Sequence, residues 1–262
     1  MNPFIVLINK EFVQMIRDYK IVWLPIAFIF LGITQPIVTF YLPSIIGSLA
    51  SGQGITIDPS MTSQYGGEVL ASTLGSQFDQ LGIIILVISM MGMIQTDKAN
   101  GMLAFILTRP VSVISYISGK ITSHFLLAAI SVTIGYFASY LYVRFLFTDV
   151  PILHLCIALF YYLVWVLFIV AFTAMISTIC NSQSMTSLIS IVFLIGCRIV
   201  VGISPVIDFV NSASMSGHAM EVLITGSINL KAIGSTLGAL FWIILIIYVT
   251  YYWIASKRFN PQ

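Results

Sequence analysis

Six times along the chain, apolar residues run together with almost no charge, and that pattern leaves few folds open. A helix rises about 1.5 Å per residue, so roughly 20 mostly apolar residues cross the ~30 Å hydrocarbon layer of a bilayer. Six segments read this way: 21–46, which contains Pro25 and Pro36, then 81–95, 121–143, 153–179, 185–203 and 237–255. The second is the weakest. Its uninterrupted apolar stretch is too short alone, so it must draft in Asp79 and Gln80 or sit deep within a bundle. Composition closes off the soluble alternative. Only 8% of the 262 residues are charged and 59% are hydrophobic, against roughly 25% charged in soluble domains. The expectation is an all-α membrane protein forming a single transmembrane domain over 1–262.

Orientation follows from Lys and Arg, which accumulate on cytoplasmic loops. With the N-terminus inside, the inner segments hold Lys10, Arg17, Lys20, Lys98, Arg109, Lys120, Lys257 and Arg258, and the outer ones hold Arg144, Arg198 and Lys231. Eight against three predicts that both termini are cytoplasmic. The first 20 residues lack a short apolar core with a small-residue cleavage site, so the first span is expected to act as the insertion signal. The net charge of +2 is small and its basic residues are dispersed, which argues against nucleic-acid binding. The cysteines Cys156, Cys180 and Cys197 are odd in number and lie in apolar runs, which argues against a disulfide framework.

Between the spans, residues 3–18 carry Phe4, Leu7, Ile8, Phe12, Met15 and Ile16 at helical spacing, with Lys10, Glu11, Gln14, Arg17 and Asp18 on the other side. Such a helix lies along a membrane surface; a plain lead-in to the first span is the simpler alternative. The outer loop 47–80 is rich in Gly and Ser and reads as mobile. Segment 96–120 is half apolar, and a solvated loop has no reason to carry Met102, Leu103, Phe105, Ile106 and Leu107. They need the bilayer, the bundle or a partner to bury against. The connection 204–235 is long enough to expect structure, with short outer-leaflet helices at 206–210 and 219–225.

Motifs that carry chemistry are missing. No Gly-x4-Gly-Lys-Ser/Thr phosphate loop occurs, so ATP is not bound by this chain, and neither His-Glu-x2-His nor Gly-x-Ser-x-Gly is present. His218 and Glu221 stand three apart, too little for a metal site. No catalytic residue and no metal ligand set is expected. His124 and His154 read as helix-end or interior polar residues.

Asp97-x3-Gly101-Met102-Leu103, then Leu107-x2-Pro110-Val111-Ser112, then Gly119-Lys120 resembles the cytoplasmic segment of ABC-2 type transporter permeases. Lys10-Glu11 and Arg17-Asp18 are similar to that family's N-terminal elbow helix, and Lys257-Arg258-Phe259 to its ending. Met102 stands where the family often has Thr, Asp97 where it often has Glu, and Val113 where an Arg is usual. The resemblance implies two membrane subunits, identical or related, forming a dimeric pathway in membrane lipid. Two copies of a separate ABC ATPase, which carry ATP and Mg, would dock beneath it. The elbow helix (1–20) and a coupling helix within 96–120 would sit in a groove on the ATPase. The contact residues would be Lys10, Glu11, Arg17, Asp18, Asp97, Gly101, Leu103, Phe105, Leu107, Arg109, Pro110 and Lys120. Closure of the ATPase would rock the bundle and export a lipid, peptide or drug-like cargo. Local physics agrees with a coupling helix: Pro110 would end it, Asp97 suits its positive end and Arg109 its negative end.

Ionisable residues at membrane depth are functional candidates. Arg198 follows ten mostly apolar residues. It would line a cargo path or a dimer seam, although snorkelling to the outer headgroups is the plainer reading. Asp79 is similar, placed at the outer boundary. Tyr161 and Trp165, in the aromatic cluster of the fourth span, complete the candidate translocation path. A secondary carrier or channel is the alternative function, but it needs intramembrane acids and this chain puts nearly all of its acids at boundaries. An intramembrane enzyme, and a non-transporting immunity or sensor subunit, are the remaining alternatives.

Overall fold

The computed structural model describes residues 3–50, 65–103, 112–227 and 230–256, and among these every regular element is a helix. Helix α1 (Pro3–Arg17) turns at Asp18–Tyr19, where Tyr19 has φ 55°, into α2 (Lys20–Ala50). The second span is built from α3 (Gly66–Ser72), a π-helix (Thr73–Gly82) and α4 (Ile83–Met90), followed by the short α5 (Gln95–Ala99). Then come α6 (Val113–Leu146), α7 (Ile152–Ile179), α8 (Gln183–Ile199), α9 (Pro205–Val210), α10 (Ser214–Thr225) and α11 (Leu230–Ser256).

Among the described residues, five helices are long and apolar enough to cross a membrane: 20–45, 66–99, 113–146, 152–179 and 232–256. The expected sixth, 185–203, is the 17-residue α8, about 25 Å long at the α-helical rise and short of the hydrocarbon thickness. α7 is the hub. It packs against α4, α5, α6, α8, α10 and α11, and 67% of its most apolar window is buried, against 28% for α2 and for α11. These two helices therefore leave most of their apolar surface uncovered by the rest of the chain.

The second span begins at Gly66, not near residue 81. Its apolar run looks short because its polar residues find interior partners. The Thr73 and Ser139 hydroxyls share a hydrogen bond of 3.2 Å, and Ser76 and Gln77 each donate to Gln35 Oε1 at 3.2 Å. Gly66 and Gly67 are tight-packing positions, since a Cβ would strike the Thr148 and Leu223 carbonyl oxygens. Part of the expected outer loop is thus helix, and Asp79 lies well inside a span.

α2 and α6 cross at two glycines. A Cβ on Gly32 would meet the Gly135 carbonyl oxygen, and one on Gly135 the Phe28 carbonyl oxygen. This is small-residue helix contact of the kind bilayers favour. The connection 204–235 holds two short helices where they were expected, α9 and the longer α10. Met215, Ala219 and Val222 of α10 are buried, and it packs against α3 and α7. Asp208 of α9 accepts from Gly202 N–H of the preceding turn at 2.8 Å.

Candidate functional site

Near the end of the bundle where α1 lies, three ionised side chains are almost dry. Lys120 is 4% exposed, Glu11 5% and Asp97 7%. Lys120 Nζ lies 3.1 Å from Glu11 Oε1 and 3.0 Å from Asp97 Oδ2, and it donates to the Met93 carbonyl oxygen at 2.5 Å. The Tyr116 hydroxyl donates to Asp97 Oδ2 at 2.8 Å. The more exposed Lys10 approaches both carboxylates, at 3.8 Å and 3.9 Å, so the group balances two positive against two negative charges. Buried charges survive only when paired in this way.

The local reasons are simple. Tyr116, Lys120 and His124 are spaced four apart on α6, so they form one stripe. His124 Nδ1 donates to the Lys120 carbonyl oxygen at 3.0 Å. Glu11 points inward from α1, which reverses the face expected for it, whereas Ile16 is exposed. Met15, Leu7 and Phe12 do pack against the core. Beside the ionic group is a polar cavity of about 370 Å³, bordered by Asp18, Lys20, His124 and Gln183 among others.

The Asp97 segment is held from α7 as well. Ser177 Oγ accepts from Ile94 N–H at 3.1 Å and Gln95 N–H at 2.9 Å, and donates to the Met91 carbonyl oxygen at 3.2 Å. Lys98 donates to the Thr178 and Cys180 carbonyl oxygens at the α7 C-terminus, at 3.0 and 2.9 Å, a placement that suits the negative helix end. The coupling helix expected within 96–120 runs into residues 104–111, which lie outside the described residues. Asp97 belongs to α5, which stops before Gly101 at φ 67°.

Other candidate coupling residues scatter. Arg17 and Asp18 are exposed, Leu103 is buried at 1%, and Gly101 has open space around it. Phe105, Leu107, Arg109 and Pro110 lie outside the described residues. Tyr116, Ser177 and Lys98 were missed as site residues. Only the four-residue spacing from Tyr116 to Lys120 hinted at the first.

A second ionic contact lies within the bundle. Arg198 Nε donates to Asp79 Oδ2 at 2.6 Å, the Ser216 hydroxyl donates to the same oxygen, and Asp79 is 1% exposed. Arg198 also reaches Met220 Sδ at 3.9 Å. The pair ties the π-helix to α8 and α10, and Arg198 points into the bundle instead of snorkelling. Asp79 lies thirteen residues into the helical span that begins at Gly66. The π-helix is a rare conformation that marks functional sites in many proteins. Nothing in the sequence announces it. Trp165 and Tyr161 are buried within α7. Trp165 stacks on Phe168 at 5.5 Å, and the stack continues through Phe172 to Phe193.

Apolar spans packed around a hub helix, with two ionic clusters held between them, define a multi-pass helical membrane protein. Residues 5–255 match the family described as ABC-2 family transporter protein, and the chain belongs to that family. It is also 37% identical over 185 residues, 70% of each chain, to the uncharacterized transmembrane protein YxlG of Bacillus subtilis (strain 168). Family membership makes it a membrane-spanning transporter subunit of the kind that carries no ATPase site and associates with an ABC ATPase.

Proposed function

We propose that the chain is the permease of an ABC exporter. Two permease subunits, identical or related, form the pathway, and two copies of a separate ATPase bind ATP and Mg and drive it. Both termini face the cytoplasm of a bacterial plasma membrane, which puts the α1 end of the bundle beside the ATPase. The cargo is a lipid, peptide or drug-like molecule. Exposed Arg17 and Asp18, together with the segment after Gly101 that contains Phe105, Leu107, Arg109 and Pro110, supply the docking contacts.

The observation that carries this reading is the Glu11–Lys120–Asp97 cluster. It joins the first helix, the segment after the second span and the base of the third span through one ammonium group. A push on α1 or on the 96–112 segment therefore reaches α6 directly, and through α6 the crossing with α2. A secondary carrier would need an unpaired acid at membrane depth. Asp79 lies at that depth, but its Oδ2 is held by Arg198 and Ser216, which favours a clamp over a proton site.

The test is co-purification in mild detergent followed by ATPase measurement. Wild type is expected to bring down a stoichiometric ATPase subunit, and Phe105→Asp with Leu107→Asp to lose it while the permease stays folded. A Lys120→Arg variant is expected to retain the ATPase but turn over ATP with weaker cargo stimulation. Solute movement along an ion gradient by the chain alone, with no ATPase bound, refutes the proposal.

A further inference from the structure

The ionic cluster forms one wall of the polar cavity of about 370 Å³. The other walls come from α1, the starts of α2 and α8, α4, α5 and α6, so no second copy of the chain is needed to complete it. The volume lies near the lower end of the ~300–1,000 Å³ typical of small-molecule sites. Glu11, Ser89, Asp97, Lys120 and His124 are the buried polar residues that border it.

Every proton these five groups own is already spent. Lys120 gives its three to Glu11, Asp97 and the Met93 carbonyl oxygen. Ser89 donates to the Leu86 carbonyl oxygen at 2.8 Å. The Lys120 carbonyl oxygen beside His124 Nδ1 can only accept, so Nδ1 carries the proton of the neutral ring and Nε2 is a bare lone pair. No described residue meets Nε2, and it is not sealed from the cavity that the ring borders. His124 is 4% exposed, and a buried acceptor is costly unless the occupant supplies a donor. The Glu11 and Asp97 carboxylates keep further lone pairs.

Those acceptors choose the ligand. An anion would find no donor among the buried groups. No set of three His, Cys, Asp or Glu side chains among the described residues is arranged to hold a metal ion. Water would bring donors but no charge, and three carboxylates (Glu11, Asp18, Asp97) border the cavity against two ammoniums (Lys20, Lys120). Lys20 pairs with the more exposed Asp18 at 3.5 Å, and Lys10 approaches Glu11 and Asp97 without bordering the cavity. Met15, Met91 and Met93 add an apolar, adaptable side.

We propose that the cavity binds a small primary alkylammonium ion, whose N–H groups donate to His124 Nε2 and to the Glu11 and Asp97 carboxylates while its short chain lies on the methionines. The ion braces α1, α5 and α6 together. Binding needs only the folded chain and does not rest on the exporter reading.

The full chain, purified in mild detergent, is titrated by calorimetry with n-butylammonium and with tetramethylammonium, which carries the same charge but no N–H. One n-butylammonium is expected to bind per chain, and tetramethylammonium to bind at least about tenfold more weakly, the worth of one charge-assisted hydrogen bond. His124→Leu keeps a buried side chain but removes the lone pair, and should weaken n-butylammonium by a similar factor.

A second measurement leaves the cavity intact. The chain has three histidines, so His154→Gln with His218→Gln, made without a polyhistidine tag, leaves His124 as the sole source of histidine nitrogen-15 signals. Its Nε2 signal is expected to shift with n-butylammonium and to stay in place with tetramethylammonium. Equal affinity for the two ions overturns the proposal, as does an unmoved Nε2 signal at saturating amine. No binding heat at about 10 mM n-butylammonium also overturns it and leaves the cavity to water. Binding that a stoichiometric ATPase subunit abolishes overturns the free-ion assignment and gives the cavity to a lysine side chain of that partner.

Discussion

Replacing Lys120 by Met tests the ionic cluster most sharply. Two contacts near 3 Å are each worth about 5 kcal/mol at an effective dielectric of ~20. Drying each of the three ions costs several kcal/mol, so the intact cluster is close to break-even. Removing Lys120 discards both attractions and leaves the Glu11 and Asp97 carboxylates buried together. Lys10, 3.8–3.9 Å from both but 35% exposed, compensates only in part. The expected loss is about 3–5 kcal/mol, the usual cost of breaking a buried pair from one side. At roughly 2–4 °C per kcal/mol for a chain of this size, the thermal midpoint in detergent should fall by about 6–20 °C. The triple variant Lys120→Met, Glu11→Gln, Asp97→Asn removes the stranded charges and should recover most of that loss. Its ATPase coupling should stay impaired, because the electrostatic tie between α1 and α6 is gone. A Lys120→Met midpoint within about 2 °C of wild type, or a triple variant no better than the single one, would show that the cluster is not the dry bracket described.

The remaining predictions use different contacts. Arg198→Leu leaves Asp79 buried without its counter-charge and should cost about 3–5 kcal/mol, whereas adding Asp79→Asn should restore most of it; a thermal-shift double-mutant cycle reads the coupling. Gly135→Leu forces a side chain against the Phe28 carbonyl oxygen and should destabilise by at least the 1–3 kcal/mol typical of overpacking, while Gly196→Ala should be neutral or stabilising by up to about 1 kcal/mol. Ser177→Ala removes the acceptor for two buried amides and should cost about 1–3 kcal/mol, seen as faster hydrogen exchange at Ile94 and Gln95 while α7 itself stays protected.

Local sequence was enough for the class, the family and most of the spans. Whether 20 consecutive residues can enter hydrocarbon depends on those residues alone, so 153–179 was legible and α7 differs from it by one residue at its start. The segment around Asp97, Gly101 and Lys120 carried the family resemblance for the same reason. What failed were judgements that depend on partners distant in the chain. The second span looked too short and Asp79 looked peripheral because its counter-charge, Arg198, lies 119 residues away. Arg198 looked free to snorkel until that partner was in place. Glu11 looked solvent-facing on a helical wheel because nothing in α1 reports an ammonium 109 residues downstream. Hydropathy prices a charge as though it were alone, so the sequence by itself determined which stretches prefer lipid. Tertiary structure decided which charges could follow them inside, because burying an ion becomes tolerable only when the fold brings its counter-ion within about 3 Å.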